Sequence, residues 1–410
     1  MTIKTAALAA AVSVVAVTAA SADTIKFAFI DPLSGPFGPS GEAAYTTFQL
    51  AAEKINEAGG VNGDMIEVTG YDNKINPKES LVQLQKAIDS GARYILQGNG
   101  SSVASAIIDA VEKHNKRNPG EEVLFFNYAA VTPAFTNERC SFWHFRFDAH
   151  ADMKMNAITD YIKGNEDIKK VYLIGQDYIF GEAVAAAAEG QLGEKRPDIE
   201  IVGNELHPLG KVKDFTPYIQ KIIASEADAV ITGNWGADMQ LLMKAAGSSG
   251  SDIPYFTFYG GSLGAVSSLG EASIGQLHQV TEGITNQDAS DEQYALIEEY
   301  KERFPTYDYY YHRAFNTLNM FDMAAEKAGS ADPIAVAKAL EGLTMEQAYG
   351  TVTMRAEDHQ AQQPLFISTV SDDVKYGVDN IDLGWKLVEG GEISAEAASA
   401  PTTCEMERPE

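Results

Sequence analysis

Tyr94-Ile95-Leu96-Gln97-Gly98-Asn99-Gly100-Ser101-Ser102-Val103-Ala104 passes from a short apolar run of β type, through a Gly/Asn loop, into an Ala-rich segment of helical character that reaches about Val111. Such a junction gathers the unpaired N–H groups of a helix start, the positive end of its dipole and the Ser101 and Ser102 hydroxyls at one spot, which suits a carboxylate or another small anion. Taken alone, the same residues also make an ordinary N-cap behind a glycine turn. A second copy shifts the balance: Ala229-Val230-Ile231-Thr232-Gly233-Asn234-Trp235-Gly236-Ala237-Asp238 repeats the apolar strand, the Gly-Asn-x-Gly loop and the helix start. Two such edges predict two similar lobes that face each other.

Working outward from the first copy, Thr24–Ile30 alternates as a strand does, and Glu42–Glu57 carries Ala44, Phe48, Ala51 and Ile55 at helical spacing before the Gly59-Gly60 stop. Strands at 65–71, 92–96 and 123–127 alternate with helices at 77–90 and 104–114. This βαβ repetition predicts a parallel, doubly wound α/β sheet with its ligand outside the carboxyl ends of the strands. The order then restarts. Strands at 170–174, 200–203, 229–232 and 255–259 alternate with helices at 151–164, 182–192, 215–225 and 237–247. Beyond a strand at 280–284 come helices at 292–304, 312–329 and 333–343. Residues 350–354 and 365–370 read as a β-hairpin, and from Glu392 onward the Ala/Ser/Glu/Pro composition reads as a solvated tail.

The chain of 410 residues opens with Lys4, a nearly unbroken Ala/Val run from Ala6 to Ala20, and Ala20-Ser21-Ala22. That pattern is a secretory signal peptide over 1–22, with the exported, periplasmic chain starting near Asp23. A formal charge of −27 without basic clusters excludes a nucleic-acid partner. Cys140 and Cys404 are the two cysteines. In an oxidising compartment an isolated pair reads as a disulfide before a metal or redox site, and their separation excludes a CxxC motif.

Catalytic signatures are missing from the sequence. No GxGxxG follows a strand into a helix, and there is no Walker loop, HExxH or GxSxG turn. His144, Asp148 and His150 share a strand face but diverge along it, so a metal site is not expected. The aromatic run Tyr307–Tyr311 reads as a packed or surface loop. No enzyme and no cofactor is expected.

Several motifs, in this order and spacing, carry a resemblance: Asp31-Pro-Leu-Ser-Gly-Pro, Ala58-Gly-Gly-Val-Asn-Gly, Tyr71-Asp-Asn, Gln97–Ser102, and Ala129-Ala-Val-Thr-Pro-Ala-Phe-Thr136. Together they resemble the type I periplasmic binding proteins of the branched-chain amino acid ABC-transporter family, over roughly Asp23–Val370. The resemblance implies two α/β lobes joined by three crossover strands, near Arg146, Glu282 and Gly350. Lobe 1 would comprise 23–145 and 283–349, lobe 2 146–282 and 350–390, and the tail 391–410. It also implies a small-molecule ligand, an amino acid or organic acid, closed upon by both lobes and delivered to a membrane permease; a monomer suffices for that.

In amino-acid-binding members, hydroxyls and backbone amides at strand ends hold the ligand carboxylate, which here implies Ser101, Ser102 and the Ala129–Val131 loop. An aromatic wall is implied from Tyr128, Phe180, Trp235 and Tyr259. Three positions depart from that pattern. Val131 stands where a hydroxyl is common, Phe180 where a Tyr is common, and Gly260 near where an acid would pair with the ligand ammonium. Asp177 or Asp238 could supply that acid from neighbouring loops. The ligand that the resemblance implies is a branched-chain or other apolar amino acid, with an amine-free aliphatic or aromatic carboxylate as the alternative. A ligand-sensing ectodomain is a further alternative.

Overall fold

Strands whose side chains are apolar on both faces, such as Tyr94–Gln97 and Leu124–Asn127, have to be covered on both sides, and parallel crossovers supply the helices that do this. In this computed structural model, which describes residues 23–409, the first such unit runs β1 (Thr24–Asp31), α1 (Gly38–Glu57), β2 (Met65–Asp72), α2 (Pro77–Asp89), β3 (Tyr94–Gln97), α3 (Ser101–Arg117), β4 (Leu124–Asn127) and β5 (His144–Arg146). Its five strands are all parallel, in the order β2-β1-β3-β4-β5. The signal peptide expected over 1–22 lies outside the described residues.

The second unit runs α4 (Ala151–Lys163), β6 (Lys170–Gln176), α5 (Ile179–Lys195), β7 (Glu200–His207), α6 (Thr216–Ala224), β8 (Ala229–Thr232), α7 (Gly236–Ser249), β9 (Tyr255–Thr257), α8 (Ala265–Leu269) and β10 (Leu277–Thr281). Helices α9 (Asp291–Arg303), α10 (His312–Ala328) and α11 (Pro333–Leu340) follow, then β11 (Thr344–Gln347), β12 (Gly350–Met354), β13 (Ala361–Gln362), β14 (Leu365–Ser371), β15 (Gly384–Ile393) and α12 (Ala395–Ala398). Its sheet has the order β15-β14-β10-β9-β8-β6-β7, parallel except for the antiparallel pairs that β14 makes with β10 and β15. Two lobes of parallel α/β structure result.

The expected hairpin of 350–354 with 365–370 does not form. β12 pairs with β11 and β13 in a small antiparallel sheet, whereas β14 pairs with β10 and β15. Val352, Met354 and Ala361 are buried in the core of lobe 1 with Phe27, Phe126 and Phe321. Apolar alternation marked both segments as strands but could not say which core each would join. The chain therefore passes between the sheets after Arg146, after Thr281 and between Gln362 and Leu365, later than Gly350 at the third passage. The first and third passages are stitched together: Gln360 Nε2 donates to the Asp148 carbonyl at 2.9 Å and Gln363 Nε2 to the Phe147 carbonyl at 2.8 Å.

The end of the chain is not a solvated tail. Cys140 and Cys404 are joined, with Cα atoms 5.7 Å apart. Beside the bridge, Thr402 Oγ1 donates to the Thr136 carbonyl at 2.7 Å, Thr403 N to Asn137 Oδ1 at 3.0 Å, and Ala398 is fully buried. Composition gave that segment no core of its own; Ala398 packs into the core of lobe 2, and a covalent link with borrowed hydrogen bonds ties the end beyond it to lobe 1.

Candidate functional site

The carboxyl ends of the two sheets face each other across a cleft with about 400 Å³ of empty space, part of it open to solvent. Lobe 1 contributes the Gly98–Gly100 loop, Ser101 and Ala129. Lobe 2 contributes Tyr178, Phe180, Trp235, Tyr259 and Ser262, and the head of α10 adds Tyr310, Tyr311 and Arg313. The lobes touch: the Phe37 ring, from the loop before α1, lies 4.4 Å from the Trp235 ring, and Tyr259 Oη donates to the Ala129 carbonyl at 3.3 Å. A Cβ on Gly236 would come within 2.7 Å of Phe37, so glycine is required where the two lobes meet.

The polar end of the cleft is held from behind. Asp31, buried at the end of β1, accepts hydrogen bonds from the Gly98 and Asn99 backbone N–H groups, each at 3.1 Å, from Asn99 Nδ2 at 3.2 Å, and from the Tyr128 hydroxyl. Burial pushes its pKa up to about 7, with the Tyr128 hydroxyl and the Asn99 and Gly98 amides pulling the other way. Gly100, at φ +89°, takes the N-cap position of α3, and no side chain caps that helix. Ser101 is therefore not a cap. It sits one residue inside the helix, 2% exposed, on the cleft wall.

Of the residues singled out in the sequence, Ser101, Ala129, Phe180, Trp235 and Tyr259 line the cleft, whereas Ser102, Tyr128 and Val131 do not. Ser102 is half-buried on the flank of α3. Tyr128 stands behind the wall, packed on Phe29 and Phe48, because its hydroxyl is committed to Asp31. Val131 belongs to the core of lobe 2. Asp238 accepts from Gln176 Nε2 and from the Gly210 N–H, both at 2.9 Å, and Asp177 is exposed; neither reaches the cleft. At Gly260, a Cβ would lie 2.5 Å from Thr257 Oγ1 and 3.0 Å from Trp385, so that position aims into lobe 2 and has no room for an acid. His144, Asp148 and His150 take separate roles: His144 lies among Phe125, Phe135 and Asn127, His150 Nδ1 accepts from the Asp152 N–H to cap α4, and Asp148 pairs with Lys154.

The residues that the sequence did not reveal are at the start of α10. Arg313 is 1% exposed; its Nη1 donates to Glu282 Oε1 at 2.6 Å, and its Nε lies 3.7 Å from Asp148 Oδ2. Lys154 Nζ lies 2.8 Å from Asp148 Oδ1 and 4.7 Å from the centre of the Tyr259 ring. Two carboxylates thus face two cations at the hinge. Burial alone would push the Arg313 pKa down, but Asp148 and then Glu282 outweigh it, and the guanidinium stays charged. Arg313 lines the cleft, and its buried Nη2 has no protein partner among the described residues. No Asp or Glu is among the described residues lining the cleft. The surrounding hydroxyls of Tyr178, Tyr259, Tyr310 and Tyr311 are all raised by burial and remain neutral donors. One signal was available in the sequence: an arginine in the first turn of a helix opposes the helix dipole, so other partners must hold it there.

A periplasmic binding protein family model matches residues 24–375. The Leu/Ile/Val-binding protein homolog 4 of Brucella abortus is 32% identical over 98% of this chain and 97% of its own length. The leucine-, isoleucine-, valine-, threonine- and alanine-binding protein of Pseudomonas aeruginosa is 26% identical over 81% of this chain and 86% of its own. Among solved structures, the closed conformation of the leucine-, isoleucine-, valine-, threonine- and alanine-binding protein of Brucella ovis superposes with a TM-score of 0.84, at 31% identity, covering 95% of this chain and all of that one. A solute-binding protein of an ABC transporter from Rhodopseudomonas palustris, in complex with 3,4-dihydroxybenzoic acid, shares the fold at a TM-score of 0.76 and 22% identity, covering 91% of this chain and 98% of that one.

Proposed function

Because the chain belongs to the type I periplasmic binding proteins of the branched-chain amino acid family, we propose that it is the periplasmic solute-binding component of an ABC importer, taking a small amphipathic carboxylate without an ammonium group. The lobes close on the solute, which touches both of them only in the closed state, and the closed form is what a membrane permease receives. The observation that carries the choice of ligand is the charge of the cleft. Arg313 lines it with a buried Nη2 that has no protein partner among the described residues, and no lining side chain carries an opposing charge. An ammonium there would be desolvated beside Arg313 with no carboxylate to meet it, at a cost of several kcal/mol. A carboxylate accepts from Arg313 or from the α3 N-terminus and Ser101, while Phe180, Trp235 and Tyr259 cover an apolar body.

The names of the relatives favour a second reading, a branched-chain amino acid. Calorimetry and thermal unfolding of the chain from Asp23, with leucine, isoleucine and valine beside 4-methylpentanoate and benzoate, separate the two. A ligand at a hundred times its Kd adds about 2.7 kcal/mol of stability and raises Tm accordingly. A rise with the amine-free acids alone is the expected result; a rise with leucine alone overturns the choice of ligand and leaves the transport role standing.

A further inference from the structure

Phe37 belongs to lobe 1 by sequence and to lobe 2 by packing. It is 6% exposed and joins the apolar core of lobe 2 rather than that of the lobe that carries it. Its loop is fixed on lobe 1: Leu33 N donates to Asp72 Oδ1 at 3.0 Å and Ser34 Oγ to Asp72 Oδ2 at 2.5 Å. A Cβ on Gly41 would lie 1.7 Å from the Pro32 carbonyl oxygen, so the first turn of α1 presses against the same loop.

The seat that receives the ring is built within lobe 2. Gly210 and Gly236, at φ +66° and +58°, form it together with the Trp235 ring. A Cβ on either glycine would come within 2.7 Å of the Phe37 ring, so at both positions the missing side chain is what makes room. Two ties inside lobe 2 hold the glycines: Gly210 N donates to Asp238 Oδ2 at 2.9 Å, and Gly236 N to Ser262 Oγ at 3.0 Å. Asp238 is itself fixed by Gln176 Nε2, which donates to it from the end of β6. An arm and a notch, each shaped inside its own lobe, thus meet only when the lobes are together. Parting the lobes returns the ring and the notch to water, and burial of a phenylalanine side chain is worth about tenfold or more in an equilibrium. Phe37, Gly210 and Gly236 are not among the residues lining the cleft, so the contact is independent of what the cleft holds.

We propose that Phe37 and the Gly210–Gly236 notch form an interlobe latch that keeps a closed form populated before any solute binds, which makes Phe37 a positioning residue for Trp235. The latch rests on the lobe closure proposed above but not on the choice of solute. Its effect on capture is to raise the fraction of chains already competent to hold a ligand. The test is the interlobe distance in the ligand-free chain from Asp23, read by double electron–electron resonance. Spin labels go on K113C in α3 and E194C in α5, exposed helix positions on opposite lobes. The parent is expected to show a short and a long distance. F37A should shift the short-to-long ratio about tenfold toward the long one, and G210A, which fills the notch, should do the same. F37A/G210A should shift it no further than either alone, because both remove one contact, and F37L should recover part of the short population. Three results overturn the latch: a parent with the long distance alone; a distribution indifferent to F37A or to G210A; or shifts that multiply in the double variant. No solute is present, so failure of the latch leaves the choice of ligand untouched, and a solute panel without a hit leaves the latch standing.

Discussion

The two Gly-Asn loops share a backbone plan and perform opposite roles. In lobe 1, Asn99 turns away from the cleft to Asp31 and Tyr128, and the loop offers backbone and the Ser101 hydroxyl. In lobe 2, Asn234 likewise turns away, to His207 at 3.1 Å, but the next residue is Trp235, whose ring enters the cleft with Nε1 donating to the Tyr178 hydroxyl at 2.8 Å. The asparagine anchors each loop, and the residue after it decides what the loop presents. One lobe presents a polar end and the other aromatic rings, which under the proposed function would divide recognition of an amphipathic solute between them.

That division breaks most visibly at Arg313, which belongs to neither loop but lines the space between them. Arg313→Ala leaves Glu282 and Asp148 short of a counter-charge in a buried hinge, and we expect a loss of about 3 to 5 kcal/mol in chemical denaturation together with loss of ligand binding. Arg313→Ala paired with Glu282→Gln should recover much of the stability and none of the binding. If binding returns with the stability, Arg313 acts only as a hinge ion pair.

The anchor of the lobe 1 loop makes it sensitive to pH. The folded-state pKa of Asp31 is raised to about 7 from 3.8, so the native chain holds a proton that the unfolded chain releases. Its contribution to stability is therefore intact below about pH 4 and falls as pH rises to about 7, by up to about 4 kcal/mol. Asp31→Asn should remove that slope from denaturation curves measured between pH 4 and 8. The lobe 2 anchor runs the other way: burial holds the pKa of His207, the partner of Asn234, below 6.5, so its contribution to stability grows as pH rises toward 6.5. An unchanged slope in Asp31→Asn would mean that Asp31 does not set it.

Trp235→Ala sharpens the contrast from the other side. Losing the ring removes the tilted contact with Phe37 and part of the cleft wall, and affinity should fall by about 2 kcal/mol with little change in the stability of lobe 1. Ser101→Ala is the smallest and most local test. With the helix capped at Gly100, its loss should not touch stability, and a weakening of about 1 kcal/mol in ligand affinity would come from the lost hydroxyl alone. Unchanged affinity would leave the backbone amides of α3 as the whole of the polar end.

Both lobes, their parallel sheets and the two facing loops were legible because each depends on local pattern: strand alternation, helical spacing, and Gly-Asn turns at strand ends. Ser101 followed from that placement, and Ala129, Phe180, Trp235 and Tyr259 from the family resemblance. Tyr128 and Val131 did not, since an apolar or aromatic residue at a strand end can face the cleft or the core, and only a partner such as Asp31 decides which. The fate of 350–362 was equally out of reach, because two amphipathic strands can join either core. Arg313 was hidden for a deeper reason. Its partners Asp148 and Glu282 come from two different passages between the lobes, so a buried arginine with a free Nη2 exists only once the hinge has assembled. Local sequence sets elements and turns through short-range sterics and burial pattern; the charge of the cleft is a sum over residues far apart in the chain, and only the tertiary structure performs it.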